Sequence, residues 1–163
     1  MGWVAVLMGS SSDWPVMQST TEILSDFGIH YEVRVTSAHR NPEQTAEYVR
    51  SAESRGCQIF ICAAGLAAHL AGAVAANTTK PVIGVPMDGG PLSGIDALLS
   101  TVQMPGGIPV ATVAIGKAGA KNAGHLAAQI LGVSDDKLQQ QLKKDREESV
   151  ARVSEQNNSI QNE

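Results

Sequence analysis

Ser37-Ala38-His39-Arg40 sets an imidazole beside a guanidinium. Histidine has the unperturbed pKa nearest neutrality, so it can take up and return a proton under physiological conditions. Arginine presents a fork of N–H donors that matches a phosphate or a carboxylate. A polar loop with a helix cap and a solvated cation fits the same four residues, so alone they leave both readings open. Gly9-Ser10-Ser11-Ser12-Asp13-Trp14-Pro15 places three hydroxyls and a carboxylate ahead of a proline. Proline suits the first turn of a helix, whose free amides and dipole favour an anion. One such side chain is enough to cap a helix, and this stretch carries four. Asp13 fits two roles, holding ribose hydroxyls or capping the helix. His69, in Ala67-Ala68-His69-Leu70, is bracketed by apolar residues, so a buried structural histidine and a second site histidine are both open. His30 begins a strand and His125 sits inside a helical pattern, which makes both structural.

Other chemistries lack their residues. The GxxxxGK[ST] and GxGxxG phosphate loops are missing, as is any Ser-His-Asp order. Cys57 and Cys62 form no CxxC pair and have no metal-ligand spacing. Five apart in one apolar run, they are expected on opposite faces of a strand, as buried thiols without a mutual disulfide. Hydroxyls at a helix start, an arginine, an aspartate and two loop histidines together describe an α/β enzyme for a phosphorylated, sugar-bearing small molecule.

The elements that must hold these loops follow from periodicity. Apolar runs at 3–8, 30–35, 57–63, 82–85 and 110–115 read as strands, the most apolar of them as strands buried on both faces. Helical stretches separate them. One starts at Pro15, with Val16, Thr20, Ile23, Leu24 and Phe27 inward, and ends at Gly28; another runs from Pro42 to Arg55. A small-residue helix ends near Asn77, a short one covers Ile95 to Val102, and the last runs from Gly116 to Leu131. Met87–Gly94 is too rich in Gly and Pro to be regular. Strand–helix alternation predicts a three-layer, doubly wound α/β fold with a five-stranded parallel sheet, flavodoxin-like, in the order 2-1-3-4-5. The order 3-2-1-4-5 is the alternative. A switch point beside strand 1 brings the loops after strands 1, 2 and 3 to one sheet edge, where Ser10–Asp13, Ser37–Arg40 and Gly65–Gly72 converge. Residues 1–133 then form one catalytic domain and 134–163 a helical extension. Leu138, Leu142, Val150 and Val153 make a thin apolar stripe on that extension, suited to the domain's outside or a neighbouring subunit, and the end from about Ser154 is expected to fray.

Composition narrows the class. The 163 residues carry a formal net charge of -4 with 4% aromatics, which argues against a nucleic-acid surface. Met1-Gly2-Trp3 leads straight into a core strand and no apolar run reaches the ~18 residues of a membrane helix, so cytoplasmic residence is the expectation.

Five stretches, in order, resemble one family: Met8–Trp14, Ser37–Arg40, Ala67–Leu70, Pro81–Pro86 and Val102–Gly116. The chain resembles the catalytic subunit of phosphoribosylaminoimidazole carboxylase from about Val4 to Gly132. The likeness is to the bacterial form that is 5-(carboxyamino)imidazole ribonucleotide mutase, of purine biosynthesis. The resemblance implies a flavodoxin-like homo-octamer without metal or organic cofactor. It implies substrate contacts at Ser10, Asp13 and Arg40, with Ser12 near the phosphate, and adds Ser37, Gly65 and Leu70 as binding positions in the same loops. It makes His39 the general acid–base group and puts His69 at the substrate carboxylate. It also implies a functional link to the ATP-dependent synthetase that makes the carbamate, and a neighbour's site completed by His69 or the Met87–Gly94 loop.

The family pattern around His69 is Ala-Gly-x-Gly-Gly-Ala-Ala-His-Leu-Pro-Gly. Here Ala63, Leu66 and Ala71 stand for Gly, Gly and Pro. Leu66 puts a side chain where backbone approaches the ligand. Related carboxylases that use free carbon dioxide usually carry Lys at the position of Arg40 and lack the His-Leu pair, so Arg40 and His69-Leu70 favour the mutase. Direct carboxylation and a non-catalytic ribonucleotide-binding domain are the rival readings.

Overall fold

Six consecutive apolar residues, Trp3–Met8, form strand β1, and all six are buried. An uninterrupted apolar run is what a strand covered on both faces requires. The structure is a computed structural model and describes residues 2–161. β1 lies between β2 (Tyr31–Val35) and β3 (Cys57–Ala64), with β4 (Val82–Pro86) and β5 (Ala111–Thr112) beyond β3. The pairs are parallel and the order is β2-β1-β3-β4-β5, as the flavodoxin-like expectation has it. Between the strands come α1 (Trp14–Asp26), α2 (Pro42–Ser54), α3 (Leu70–Ala75) and α4 (Ile95–Val102). α5 (Gly116–Gly132) and α6 (Asp136–Gln161) close the chain. No helix among the described residues is long and apolar enough to cross a membrane.

Alternate side chains of the central strands feed two core layers. Val4, Val6, Ile59, Ile61 and Ile83 face one way, with Met17 and Leu24 of α1 and the alanines of α5. Ala5, Leu7, Phe60 and Val82 face the other, with Val49 and Ala52 of α2 and Val74 of α3. α1 meets α5 closely because α5 is built of small residues. A Cβ on Gly124 would stand 2.9 Å from Ile23 Cβ, and the Thr20 hydroxyl donates to the Ala120 carbonyl at 2.7 Å. Gly119 is tighter still, since a Cβ there would run into the Ala114 carbonyl oxygen. That oxygen is backbone and has no rotamer to move. Alanine gains ~1 kcal/mol over glycine in helix propensity, but overpacking typically costs ~1–3 kcal/mol. Gly119→Ala is therefore expected to lower the urea midpoint; a raised midpoint would show that the start of α5 shifts freely.

Four local expectations need correction. The fifth strand is two residues long instead of 110–115. It is an edge strand that pairs with β4 alone, through Ile83↔Ala111 and Gly84↔Thr112, and past Val113 the chain turns into α5. Cys57 and Cys62 face the same core layer, not opposite ones. The register steps from Trp3↔Cys57 to Val4↔Ile59, so Gln58 is an extra residue in β3, and a bulge switches the side-chain alternation. Both thiols are free, and burial raises the pKa of Cys57 to about 11 and raises that of Cys62 as well. The α6 stripe is divided: Leu138 is fully buried and Leu142 packs on the same core, whereas Val150 and Val153 are exposed. Last, α6 stays helical past Ser154 to Gln161; Asn162 and Glu163 lie outside the described residues.

Candidate active site

Register brings the three loops together. Met8 pairs with Val35 on one side and Ala63 on the other, so β1, β2 and β3 end at one level. Backbone bonds continue past the ladders: the Thr36 amide donates to the Met8 carbonyl (2.8 Å), and the Gly9 amide to the Ala63 carbonyl (3.0 Å). Beyond that level lies a cavity of about 530 Å³. Ser10, Ser12, Asp13, Ser37, His39, Arg40, Gly65, His69 and Leu70 all line it. A larger groove of about 720 Å³ between α5 and α6 contains none of these residues.

The first loop is a 3-10 turn, Ser11–Asp13, that runs into α1. Ser10 caps the turn: its Oγ accepts from the Ser12 amide at 3.3 Å and from the Ser12 hydroxyl at 2.9 Å. Asp13 stands at the N-cap of α1 but makes no side-chain cap bond, so the capping role open to it in the sequence falls to Ser10. The Asp13 carboxylate is half-buried at the cavity instead. Burial raises its pKa above the ordinary 3.8, against the lowering effect of Ser10 and Ser12. The folded chain thus keeps this proton at a pH where the unfolded chain has lost it. Stability falls as pH rises from the ordinary value through the raised one. Asp13→Asn is therefore expected to raise the urea midpoint at neutral pH and to leave it unchanged in acid, where both states are protonated. A loss of stability at neutral pH would show that the carboxylate supports the turn.

The second loop is held from beneath. The Ser37 amide donates to Asn41 Oδ1 at 2.7 Å, and the buried hydroxyls of Thr36 and Thr45 share a 2.6 Å bond. The Arg40 amide donates to Ser37 Oγ at 3.2 Å, and Arg40 Nη2 reaches the first loop, donating to the Gly9 carbonyl at 2.9 Å. Those bonds fix the guanidinium beside the Ser10–Asp13 turn while it keeps further donors for a ligand. Asn41, Thr36 and Thr45 escaped the sequence reading. Asn41 was legible as a candidate cap ahead of Pro42; the Thr pair, distant in sequence and visible only as a contact, carried no signal.

His39 and His69 meet across the second and third loops. His39 Nε2 lies 2.6 Å from His69 Nδ1, with the rings edge to face at 85°. One nitrogen must donate and the other accept, so the tautomer of each ring is set by the other. Both residues are exposed, which removes the buried structural reading of His69. His69 joins His39 of its own chain. Met87, Gly89 and Gly90 of the β4–α4 loop also line this same chain's cavity. The third loop carries Leu66 with φ 56°, in left-handed backbone that disfavours a side chain.

Known proteins resemble this chain over most of its length. The model of the AIR carboxylase family matches residues 3–152. The N5-carboxyaminoimidazole ribonucleotide mutase of Bacillus subtilis (strain 168) is 52% identical over 150 residues, spanning 92% of this chain and 93% of that protein. The protein of that name from Saccharolobus solfataricus is 56% identical over 141 residues, spanning 86% and 88%. Among solved structures, Treponema denticola PurE superposes with a TM-score of 0.88 at 29% identity, covering 98% of both chains.

Proposed function

The chain belongs to the AIR carboxylase family, and from that premise we propose how its cavity performs the N5-carboxyaminoimidazole ribonucleotide mutase reaction. The reaction moves a carboxylate from the exocyclic nitrogen of the ribonucleotide to its ring carbon. The observation that supports this reading best is the His39–His69 pair in the wall of a cavity that also holds the Ser10–Asp13 turn and Arg40.

The phosphate sits at the 3-10 turn, on Ser10 and Ser12 and against Arg40, where hydroxyls and a cation converge. Asp13 takes the ribose hydroxyls. Ser37, Gly65 and Leu70 shape the floor for the base. His39 protonates the carbamate nitrogen, the nitrogen–carbon bond breaks, and carbon dioxide and the free amine stand side by side. The ring carbon attacks carbon dioxide, and the resulting adduct returns its ring proton to His39. The histidine ends as it began, so one group serves both transfers. His69 orients the carboxylate and holds the His39 ring in place. Holding both fragments in one site turns the second bond formation into a unimolecular step.

Arg40 and the His69-Leu70 pair favour this reading over direct carboxylation. The test supplies the purified chain with the carbamate ribonucleotide in one assay and the aminoimidazole ribonucleotide with bicarbonate in another. Fast product formation from the first alone is expected. Fast formation from the second alone would make the chain a direct carboxylase, and none from either would leave a binding domain.

Assembly completes the proposal. Residues 1–133 act as the catalytic domain and 134–163 as its extension, and eight copies close into a homo-octamer that works in the cytoplasm beside the carbamate-forming synthetase. Support comes from the exposed Val150 and Val153, which have no cover on their own subunit. Light scattering that reports a monomer would overturn the octamer.

A further inference from the structure

Leu66 is strained and exposed, yet its side chain is engaged. Its backbone φ of 56° suits glycine, which would sit there without cost. Strain of this kind persists only where the surroundings hold it, and it clusters at sites that use it. The side chain is 54% exposed and also lines the cavity, so it stands at the rim. Across the rim, Leu66 Cδ2 occupies the space in front of Gly90 where a Cβ would stand. A leucine from the β3–α3 loop therefore spans to the β4–α4 loop, with His39 and His69 in the same cavity wall.

We infer that Leu66 is a positioning residue that bridges the cavity rim to Gly90 and keeps carbon dioxide beside the ring carbon until it is recaptured. The inference rests on the mutase reading. Protonation of the carbamate nitrogen breaks its bond to carbon and leaves the aminoimidazole ribonucleotide and carbon dioxide; recapture forms a carbon–carbon bond and releases the ring proton to the base. Carbon dioxide is neutral, so neither Arg40 nor a histidine holds it by charge. Its retention depends on closure of the space around it. An apolar bridge closes that space and keeps water out without adding a donor to compete for the carboxylate.

The experiment compares the wild type with L66G and L66A on the carbamate ribonucleotide. It reads the ratio of aminoimidazole ribonucleotide released to ring-carboxylated product formed, corrected for breakdown without enzyme. The ratio is expected to rise severalfold in both variants. No rise in either overturns the bridge, and a rise in L66G alone assigns the effect to backbone freedom and overturns it too. A wild type that does not convert the carbamate fails the mutase reading itself, which separates the two failures. The contact is read without activity by Gly90→Ala, which should lower Tm more in the Leu66 background than in L66G. An equal drop in both backgrounds overturns the contact.

Discussion

His39→Asn is expected to hold the ribonucleotide near wild-type affinity and to lose ~10²–10⁴-fold in turnover, the usual worth of a positioned acid–base group. Asparagine keeps a polar group that can hydrogen-bond to His69, so the loop stays in place. It cannot carry a proton between nitrogen and carbon. In the proposed mechanism both proton transfers run through this one imidazole, so its removal slows the reaction at the carbamate and again at the carboxylated ring. The Ser10–Asp13 turn and Arg40 are untouched, and the 2.9 Å bond from Arg40 to the Gly9 carbonyl still joins the two loops. Titration calorimetry with the carboxylated product separates binding from turnover. Near-normal turnover would remove His39 from the mechanism, and a large loss of affinity would make it a binding group instead.

The sheet was readable because its central strands are buried on both faces. The apolar runs of β1, β3 and β4 leave no other explanation, and their order fixes which loops share an edge. That is why the loops of Ser10–Asp13, Ser37–Arg40 and Gly65–Gly72 are expected to converge, while the choice of site residues within them comes from the family resemblance. The edge strand β5 was not readable to its true length. Its apolar residues lean on β4 and the neighbouring helices, and an apolar run does not say how many of its amides are paired. The bulge at Gln58 was equally silent, since no side chain marks it. The identity of the cap was a matter of geometry: Ser10 and Asp13 are both good caps, and only the 3-10 turn decides that Ser10 takes the bond. Freed from capping and half-buried, Asp13 becomes a carboxylate whose place costs stability, which is common where a site is built for a ligand and not for the fold.

Ser10→Asp carries the second large effect because it separates folding from binding. Aspartate caps as well as serine, so the turn at Ser11–Asp13 and the start of α1 should survive with Tm unchanged. The new carboxylate lies where the phosphate is proposed to bind. Serine there accepts from the Ser12 amide and hydroxyl while staying neutral, with its own hydroxyl proton to offer an anion, whereas aspartate accepts the same bonds, donates none and adds a like charge. A charge-assisted hydrogen bond is worth about 1.5–3 kcal/mol, so its loss alone weakens binding by roughly 10–150-fold, before repulsion adds to it. Arg40→Ala should weaken binding by a similar factor through loss of the guanidinium, but with a drop in Tm. It gives up the bond from Arg40 to Gly9 that ties the first loop to the second, and the side-chain bond to Ser37 within the second. The pair of variants thus gives two signatures: affinity alone for Ser10→Asp, affinity and stability together for Arg40→Ala. Titration calorimetry with the ribonucleotide and thermal melts read both. Unchanged affinity in Ser10→Asp would place the phosphate elsewhere in the cavity, with Arg40 left as a structural tie between its two loops.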